Sequence, residues 1–333
     1  MIFSRTIFFP ALFVFVQASP SLVAKDGHGR DHVNARTIYQ FQGHTRAENI
    51  AVRKNGNLLI TLSDRPELYE VDPFNPSSPK LIHHFAGYSG LAGITETTPD
   101  VFLVNAGNIT FGPIRPVPKS FSVWKLDLSC ADGATVSKVT DMPEASYLNG
   151  LTTLDSRAGV VLTGDCTSGR VFRLDTNTGN YTVALDNALL QPPPNATLPI
   201  GINGIRMFRD HLYFTNTFKG IYARVPVDLV TGEAKGPYEV LGTNVTADDL
   251  AVKAGVGYLA GSIGNVIIKI KTGKESEVIA GNLNSTEVAG ATAVAFGRTK
   301  KDKEVLYVVT SGTEVSPVNG TFVEPGKVVA LDI

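Results

Sequence analysis

The sequence predicts an all-β fold, namely a six-bladed β-propeller with four-stranded blades. One phrase recurs six times: a polar residue, a small or polar residue, an apolar pair, a turn, then a second apolar strand. Two copies are LNGLTTLDSRAGVVLTGD and INGIRMFRDHLYFTNTF. The copies start at Glu48, Gly93, Asn149, Asn203, Asp248 and Thr292, so successive starts are 44 to 56 residues apart. A strand-rich repeat of this length is one propeller blade rather than one turn of a helical solenoid.

Length and composition fit one strand-rich domain. A chain of 333 residues is long for a single domain, but a propeller grows by adding blades that contact only their neighbours. The net charge of −1 and the charged fraction of 18% give no basic surface for nucleic acid or an anionic membrane. We therefore expect a small-molecule or protein partner rather than a polyanion. Together with the apolar loops described below, the expected partner is a small apolar molecule, and the expected state is a monomer.

The amino terminus predicts a signal peptide over residues 1–18. Arg5 precedes an apolar run from Ile7 to Val16 that is too short to span a bilayer, and Val16-Gln17-Ala18 has the spacing of a signal-peptidase site. Residues 19–35 then form a charged lead-in segment, and the propeller covers residues 36–333. No later segment has the length of a membrane span, so we expect a protein of the secretory pathway or the extracellular space.

Two further features suit that compartment. Six Asn-X-Thr triplets predict N-glycosylation, at Asn108, Asn180, Asn195, Asn244, Asn284 and Asn319. Cys130 and Cys166 are the only cysteines, and an oxidising compartment permits one disulfide between them. Two unpaired thiols are the alternative, because the sequence does not give the geometry that a disulfide needs.

The two ends of the chain predict a shared last blade. Strands near Ala291–Phe296, Val305–Thr310 and Lys327–Ile333 leave that blade one strand short of four. The alternating segment Arg36–Gln42 precedes the first blade and is the natural fourth strand. This pairing would join the two ends and remove an exposed sheet edge.

The starts of the repeats carry the candidate chemistry. The first strand of each propeller blade lines the central channel, so Glu48, Asn149, Asn203 and Asp248 should converge at one mouth. Two carboxylates and two amide oxygens form an oxygen-only set that suits calcium better than zinc. Alternatively, Asn and Asp cap the backbone at tight turns that precede strands.

These phrases resemble the senescence-marker-30/gluconolactonase group of six-bladed propellers. The resemblance implies that Glu48, Asn149, Asn203 and Asp248 hold one divalent ion and that Asp248 is the base that activates water on a lactone carbonyl. The chain departs from the group in two ways. Glu48-Asn49-Ile50 replaces the usual Glu-Gly-Pro, and the only tryptophan is Trp124, in an outer strand.

The chain also resembles a narrower group, the secreted fungal hetero-Diels-Alderases of tropolone sesquiterpenoid biosynthesis. This resemblance rests on its long apolar loops, its signal peptide and its acceptor triplets. The loops are residues 109–121 and 189–199, which are rich in proline. The resemblance implies that the protein orients a quinone methide and a humulene-type terpene and requires no cofactor. On this interpretation the polar funnel contacts are Asp64, Asn105, Asp165, Asn216 and Ser262, and the apolar walls are Tyr88, Phe111, Tyr147 and Phe218.

Three functions therefore remain. The first is a secreted pericyclase that acts through the four ring residues, the second is a calcium-dependent lactonase or esterase, and the third is a binding propeller without catalysis. Carboxylates at strand starts favour an enzyme, because a buried carboxylate is costly unless it binds something.

Overall fold

The computed structural model describes residues 33–111, 115–130, 133–196 and 198–333, and in these ranges it contains strands but no helix. The predicted signal peptide and residues 19–32 of the predicted lead-in lie outside this part of the chain. Six four-stranded antiparallel sheets form the blades of a six-bladed β-propeller, as predicted. None of the described residues form a helix with the length and hydropathy of a membrane span.

The strands follow the predicted blade order. Blade 1 is β2 (Ala47–Val52), β3 (Leu58–Leu62), β4 (Glu67–Val71) and β5 (Lys80–His84). Blade 2 is β6 (Gly90–Thr98), β7 (Val101–Gly107), β10 (Ser122–Asp127) and β11 (Thr135–Asp141), and its long loop carries the short pair β8 (Ile109–Thr110) and β9 (Arg115–Pro116). Blade 3 is β12 (Leu148–Asp155), β13 (Val160–Asp165), β14 (Arg170–Asp175) and β15 (Tyr181–Asp186).

The second half repeats this arrangement. Blade 4 is β16 (Ile202–Phe208), β17 (His211–Asn216), β18 (Ile221–Pro226) and β19 (Glu239–Thr243). Blade 5 is β20 (Leu250–Lys253), β21 (Val256–Gly261), β22 (Val266–Lys271) and β23 (Glu277–Gly281). Blade 6 contains β24 (Ala291–Phe296), β25 (Val305–Thr310) and β26 (Lys327–Asp332), and its outermost strand is β1 (Asn34–Gln40), which pairs antiparallel with β26.

Five of the six inner strands are irregular at their start, where the candidate chemistry lies. The pairing register shifts within the first five residues of β2, β6, β12, β16 and β24. Such bulges re-aim side chains at the edge of a sheet. The Asn-Gly pairs at Asn149 and Asn203 are therefore the bulged starts of strands and not turns.

Glycines let the inner strands of neighbouring blades approach one another. A Cβ on Gly93 would lie 2.3 Å from the carbonyl oxygen of Asn149, and one on Gly150 would lie 2.3 Å from that of Asn203. Any side chain at these positions would therefore push two blades apart.

Threonine side chains of the first and second strands also join neighbouring blades. The Thr61 hydroxyl of blade 1 donates to the carbonyl oxygen of Ala92 in blade 2 at 2.7 Å. Thr292 of blade 6 donates to the carbonyl oxygen of Ala47 in blade 1 at 2.8 Å. Apolar side chains fill the space between the sheets, as where Ile50 and Leu62 of blade 1 pack with Val309 of blade 6. This packing fixes the spacing of the strand starts around the channel.

Candidate functional site

The four predicted ring residues converge at one end of the channel. Each lies just before or within the start of an inner strand, and Glu48, Asn149 and Asn203 are at least nine-tenths buried. The Asn149 amide donates to Glu48 Oε1 at 3.3 Å, although the two residues are 101 positions apart. Asn203 hydrogen-bonds to the Asp248 carboxyl group. The predicted convergence is therefore present, with an amide beside each carboxyl group.

The equivalent positions of the other two blades carry no free polar side chain. In blade 2 the residue equivalent to Asn149 is Ala92. It lies one residue before Gly93, which the repeat had predicted as the start of that blade. Blade 6 has Thr292, whose hydroxyl donates to the carbonyl oxygens of Ala47 and Val309. The ring positions of blades 1, 3, 4 and 5 are therefore polar, whereas those of blades 2 and 6, which flank blade 1, are not.

Burial dominates the electrostatics of the two carboxyl groups. It raises the pKa of Asp248 well above its ordinary value, and repulsion from Glu48 adds to this rise. Burial likewise raises the pKa of Glu48, while Arg46, Ser63 and Asn149 act in the opposite direction. Two carboxyl groups in one low-dielectric site do not both ionise readily, so a neutral carboxyl group is available there as a hydrogen-bond donor.

Arg46 is a cation at this mouth that the sequence reasoning missed. Its charge lowers the pKa of both Glu48 and Asp248. Its guanidinium lies 4.9 Å from the centre of the Phe111 ring and 3.3 Å from Glu314 Oε2, and Nε is buried without a hydrogen-bond partner among the described residues. Arg46 thus contacts the loop after β7 of blade 2 through Phe111 and the loop between β25 and β26 of blade 6 through Glu314. A basic residue two positions before the ring residue was the available signal.

Tyr147 brings a hydroxyl to the same site. Only 6% of the residue is exposed, and burial raises the pKa of its phenol, with Glu48, Cys166 and Asp248 adding to the rise. The phenol therefore stays protonated. The Cys166 thiol donates to Asn203 Oδ1 at 3.7 Å, and burial keeps this thiol protonated by raising its pKa. Tyr147, predicted as an apolar wall, packs its buried ring against Phe121 at 5.8 Å and has its hydroxyl within electrostatic reach of Glu48 and Asp248.

A buried ion pair lies one step further along the inner strands. Arg206 donates to Asp249 Oδ2 at 2.6 Å, and Asn49 donates to the same oxygen at 2.7 Å. Asp249 has a 3% exposed side chain, and Asp249 Oδ1 accepts the N–H of Leu250. These residues come from blades 1, 4 and 5, so the network ties three inner strands together beneath the ring. Sequence reasoning missed it because the partners are up to 200 residues apart.

Several predicted substrate contacts are wrong, because their side chains bind the protein backbone. Asn105 donates to the carbonyl oxygen of Asn149 at 2.8 Å and is fully buried. Asp165 accepts backbone N–H groups from Ser146, Tyr147, Thr167 and Ser168. Asp165 and Asn105 therefore position Tyr147 and Asn149 without facing the channel.

Two more of these contacts are wrong for the same reason. Asn216 donates to the carbonyl oxygens of Leu189 and Gln191, and so holds the proline-rich loop of residues 189–199. Asp64 accepts the backbone N–H of Arg46 at 2.8 Å and forms an ion pair with Arg65. Asp64 thereby fixes the segment that carries Arg46.

The predicted apolar walls divide between two places. Phe111 and Phe218 are each 37% exposed, and Phe111 contacts Arg46 at the mouth. Phe218 and the half-buried Ser262 lie in the turns after β17 and β21, at the channel end where the inner strands start. Tyr88 is not a funnel wall, because it packs against Trp124 in the outer part of blade 2.

The cysteines are not paired. Cys130 is exposed and borders a small cavity with Arg53 and Glu70, whereas Cys166 is buried beside the ring residues. The predicted disulfide therefore does not form, because the two thiols lie in separate environments. The acceptor asparagines Asn180, Asn195, Asn244, Asn284 and Asn319 are exposed, while Asn108 is half-buried.

The ring residues fit a calcium ion by donor type and less well by arrangement. Two carboxyl groups and two amide oxygens are hard donors. However, Asn149 turns its amide nitrogen to Glu48, and Arg46 already supplies positive charge to both carboxyl groups. Among the described residues, no group of three or more His, Cys, Asp or Glu side chains is arranged to hold a metal ion.

Two relatives match most of the chain. It is 29% identical over 344 residues to a candidate hetero-Diels-Alderase of Sarocladium schorii, with 92% of this chain and 85% of that protein covered. It is 30% identical over 304 residues to a candidate hetero-Diels-Alderase of a Phoma species, with 82% of this chain and 85% of that protein covered. No protein-family model matches the chain.

Solved structures share the fold. The luciferin-regenerating enzyme superposes with a TM-score of 0.65 at 14% identity and covers 90% of this chain and 95% of its own. Regucalcin from Agrobacterium tumefaciens, a calcium-binding protein, gives a TM-score of 0.61 at 16% identity over 90% of this chain and 94% of its own. These similarities agree with the resemblance to senescence-marker-30/gluconolactonase propellers and concern the fold alone.

Proposed function

Since the chain belongs to the family of the candidate hetero-Diels-Alderases from Sarocladium schorii and Phoma, we propose that it catalyses a hetero-Diels-Alder reaction at the mouth of its channel. The substrates are a tropolone quinone methide, which is the oxygen-containing diene, and a humulene-type sesquiterpene, which supplies the alkene. The protein is secreted. The arrangement that supports this proposal most directly is the set of donors around Glu48 and Asp248.

The reaction needs no nucleophile and no cofactor. The oxygen and the terminal carbon of the diene each bond to one alkene carbon, so a C–O bond and a C–C bond form as three π bonds become one. No atom, proton or electron leaves or enters. The protein therefore acts through orientation, which supplies up to about 7 to 11 kcal/mol in well-aligned cases, and through hydrogen bonds to the diene oxygen.

Three groups are placed to bind that oxygen. The Tyr147 phenol is a neutral donor because burial raises its pKa. Burial also raises the pKa of Asp248 and so favours the protonated, donating form of its carboxyl group, and the Arg46 guanidinium is a charged donor at the mouth. A donor strengthens its hydrogen bond as negative charge builds on the oxygen, and this lowers the barrier. Buried neutral donors keep their strength because little water competes with them.

The apolar partner fits the parts of the mouth on either side of blade 1, which are formed by blades 2 and 6. Ala92 and Thr292 leave blades 2 and 6 without a free polar group, and these blades carry the long loops of residues 108–121 and 311–326. Phe111 and Val315, which are 37% and 55% exposed, extend from these loops. A hydrocarbon chain placed there would bury apolar surface, and this burial would favour binding by about 25 cal/mol of free energy per Å².

The proposal is tested by releasing the quinone methide from a precursor with a humulene-type alkene present. We expect the wild-type chain to accelerate adduct formation and to yield one stereoisomer. Tyr147→Phe should lower kcat about tenfold, since one lost donor is worth about 1.4 kcal/mol. Tyr181→Phe, in an outer strand of blade 3, is the matched control and should have no effect. Equal rates and product ratios with and without protein would refute the proposal.

A calcium-dependent lactonase is the second candidate, because the four oxygen-bearing side chains do converge. Glu48, Asn149, Asn203 and Asp248 would hold the ion, which supplies Lewis-acid polarisation of a lactone carbonyl when bound. In that case chelation lowers the melting temperature, calcium restores it, and Asp248→Asn abolishes lactone hydrolysis. An unchanged melting curve on chelation, together with no turnover of a lactone panel, would remove this candidate.

A further inference from the structure

A second cavity lies away from the channel, on the outer part of blade 2. It has a volume of about 550 Å³. Two aromatic rings, two lysines and two small polar residues line most of its wall, namely Tyr88, Trp124, Lys119, Lys138, Asn108 and Ser120. Nothing in the proposed cycloaddition uses these residues, so the cavity calls for a separate explanation.

The aromatic wall presents ring surfaces whose own polar atoms are already satisfied. Tyr88 and Trp124 pack edge to face, with ring centres 5.9 Å apart. The Trp124 indole N–H donates to Ser122 Oγ at 3.0 Å, and Ser122 donates to the Tyr88 hydroxyl at 2.7 Å. Lys138 places its ammonium 5.5 Å from the Trp124 ring centre. Aromatic faces beside hydroxyl-binding cations suit a sugar, which has apolar ring faces and a polar rim.

Asn108 lies in the cavity wall with its backbone held on both sides. Its N–H donates to Ser120 Oγ at 3.0 Å, and its carbonyl oxygen accepts the N–H of Val117 at 2.8 Å. The following residue, Ile109, is 5% exposed and anchors the chain in the core of the molecule. The direction in which the Asn108 side chain leaves the backbone is therefore fixed beside the aromatic rings.

Asn108 is also the acceptor of the triplet Asn108-Ile109-Thr110. The acceptors of the other five triplets are exposed, and Asn108 alone is half-buried and borders this cavity. We propose that the cavity is the seat of the N-linked glycan of Asn108, with the first sugar rings packed on Tyr88 and Trp124 and hydrogen-bonded by Lys119 and Lys138.

A glycan seated in this way would stiffen one side of the channel mouth. Asn108 begins the loop of residues 108–121, and the same loop carries Phe111, which contacts Arg46. Sugar rings packed on the blade would restrict the start of that loop. The glycan would then act as a structural part of the propeller, unlike glycans on exposed turns, which mainly keep the surface soluble.

The test uses the full chain, with its own amino terminus, secreted from a glycosylating fungal host. We expect glycopeptide mass spectrometry to find Asn108 occupied, and an endoglycosidase to release its glycan from the native protein at least fivefold more slowly than the glycan of Asn180. Trp124 is the only tryptophan, so its fluorescence reports on the cavity. Asn108→Gln should shift its emission and lower the melting temperature, and Asn180→Gln should do neither.

Three results would overturn the proposal: an unmodified Asn108, release at the same rate as from Asn180, or Trp124 emission that Asn108→Gln leaves unchanged. If Asn108→Gln fails to fold, Thr110→Ala removes the acceptor triplet while Asn108 remains. Thr110 makes only an exposed hydrogen bond to the carbonyl oxygen of Arg115, so this variant should fold and show the same emission shift.

Discussion

Removal of Arg206 should lower the free energy of unfolding by far more than removal of one partner of an exposed ion pair. Arg206→Met leaves the Asp249 carboxylate with Asn49 as its remaining side-chain donor, in a site where Asp249 is 3% exposed. Loss of one partner of a buried pair costs about 3 to 5 kcal/mol. Because the Arg206 side chain is 19% exposed, we expect the lower end, about 3 kcal/mol. At about 2 °C per kcal/mol for a chain of this size, the melting temperature falls by about 6 °C.

The assay is urea unfolding followed by the emission of Trp124, which lies in blade 2 and away from this network. The double variant Arg206→Met, Asp249→Asn should recover at least half of the loss, because it removes the unpaired charge. Arg170→Met is the matched control, since its pair with Asp186 is about half exposed and should be worth less than about 1 kcal/mol. A loss below about 1 kcal/mol for Arg206→Met would refute the buried-pair argument.

Two further outcomes follow from the site. Burial and Glu48 raise the pKa of Asp248 from 3.8, so above that pH the folded chain keeps a proton that the unfolded chain releases, and stability falls as pH rises through the folded value. Asp248→Asn should therefore raise the melting temperature more at pH 8 than at pH 5, and an equal change at both would contradict this. Asp165→Ala leaves the N–H of Tyr147 and three other backbone N–H groups without their acceptor. The free energy of unfolding in urea should therefore fall by about 2 to 4 kcal/mol, and turnover should be lost as well. Retained turnover would show that Asp165 does not position Tyr147.

The fold and the ring of four residues could be predicted because both are local in sequence. Each blade repeats the same phrase, and a strand start places its side chain at the channel whatever the other blades contain. Glu48, Asn149, Asn203 and Asp248 were therefore identified from the repeat alone. The bounds of β24, β25 and β26 were also predicted to within one residue, whereas β1 begins and ends two residues before the predicted Arg36–Gln42.

The errors have a common physical cause. Asp64, Asn105, Asp165 and Asn216 are polar residues at the ends of second strands, where a side chain reaches either the channel or a neighbouring backbone group. The sequence does not distinguish these two directions, and the structure shows the second.

Long-range partners were missed for a different reason. The pair of Arg206 and Asp249, and the contact of Arg46 with Phe111, depend on which side chains meet across the ring. A sequence repeat identifies equivalent positions in the blades and gives no information about which side chains contact one another across the ring. These contacts became visible only once the blades were placed in a circle.

The close approach at Gly93 and Gly150 has an evolutionary consequence. Neighbouring blades approach one another through backbone atoms there, and the residue just before each of these glycines is a ring position at the channel mouth. Ala92 and Asn149 occupy such positions. The first carries a methyl group and the second carries an amide. A single codon per blade can therefore exchange one functional group at the mouth for another without rebuilding the architecture. A protein built in this way can acquire a new reaction through a few point substitutions, each of which leaves a folded intermediate for selection to act on.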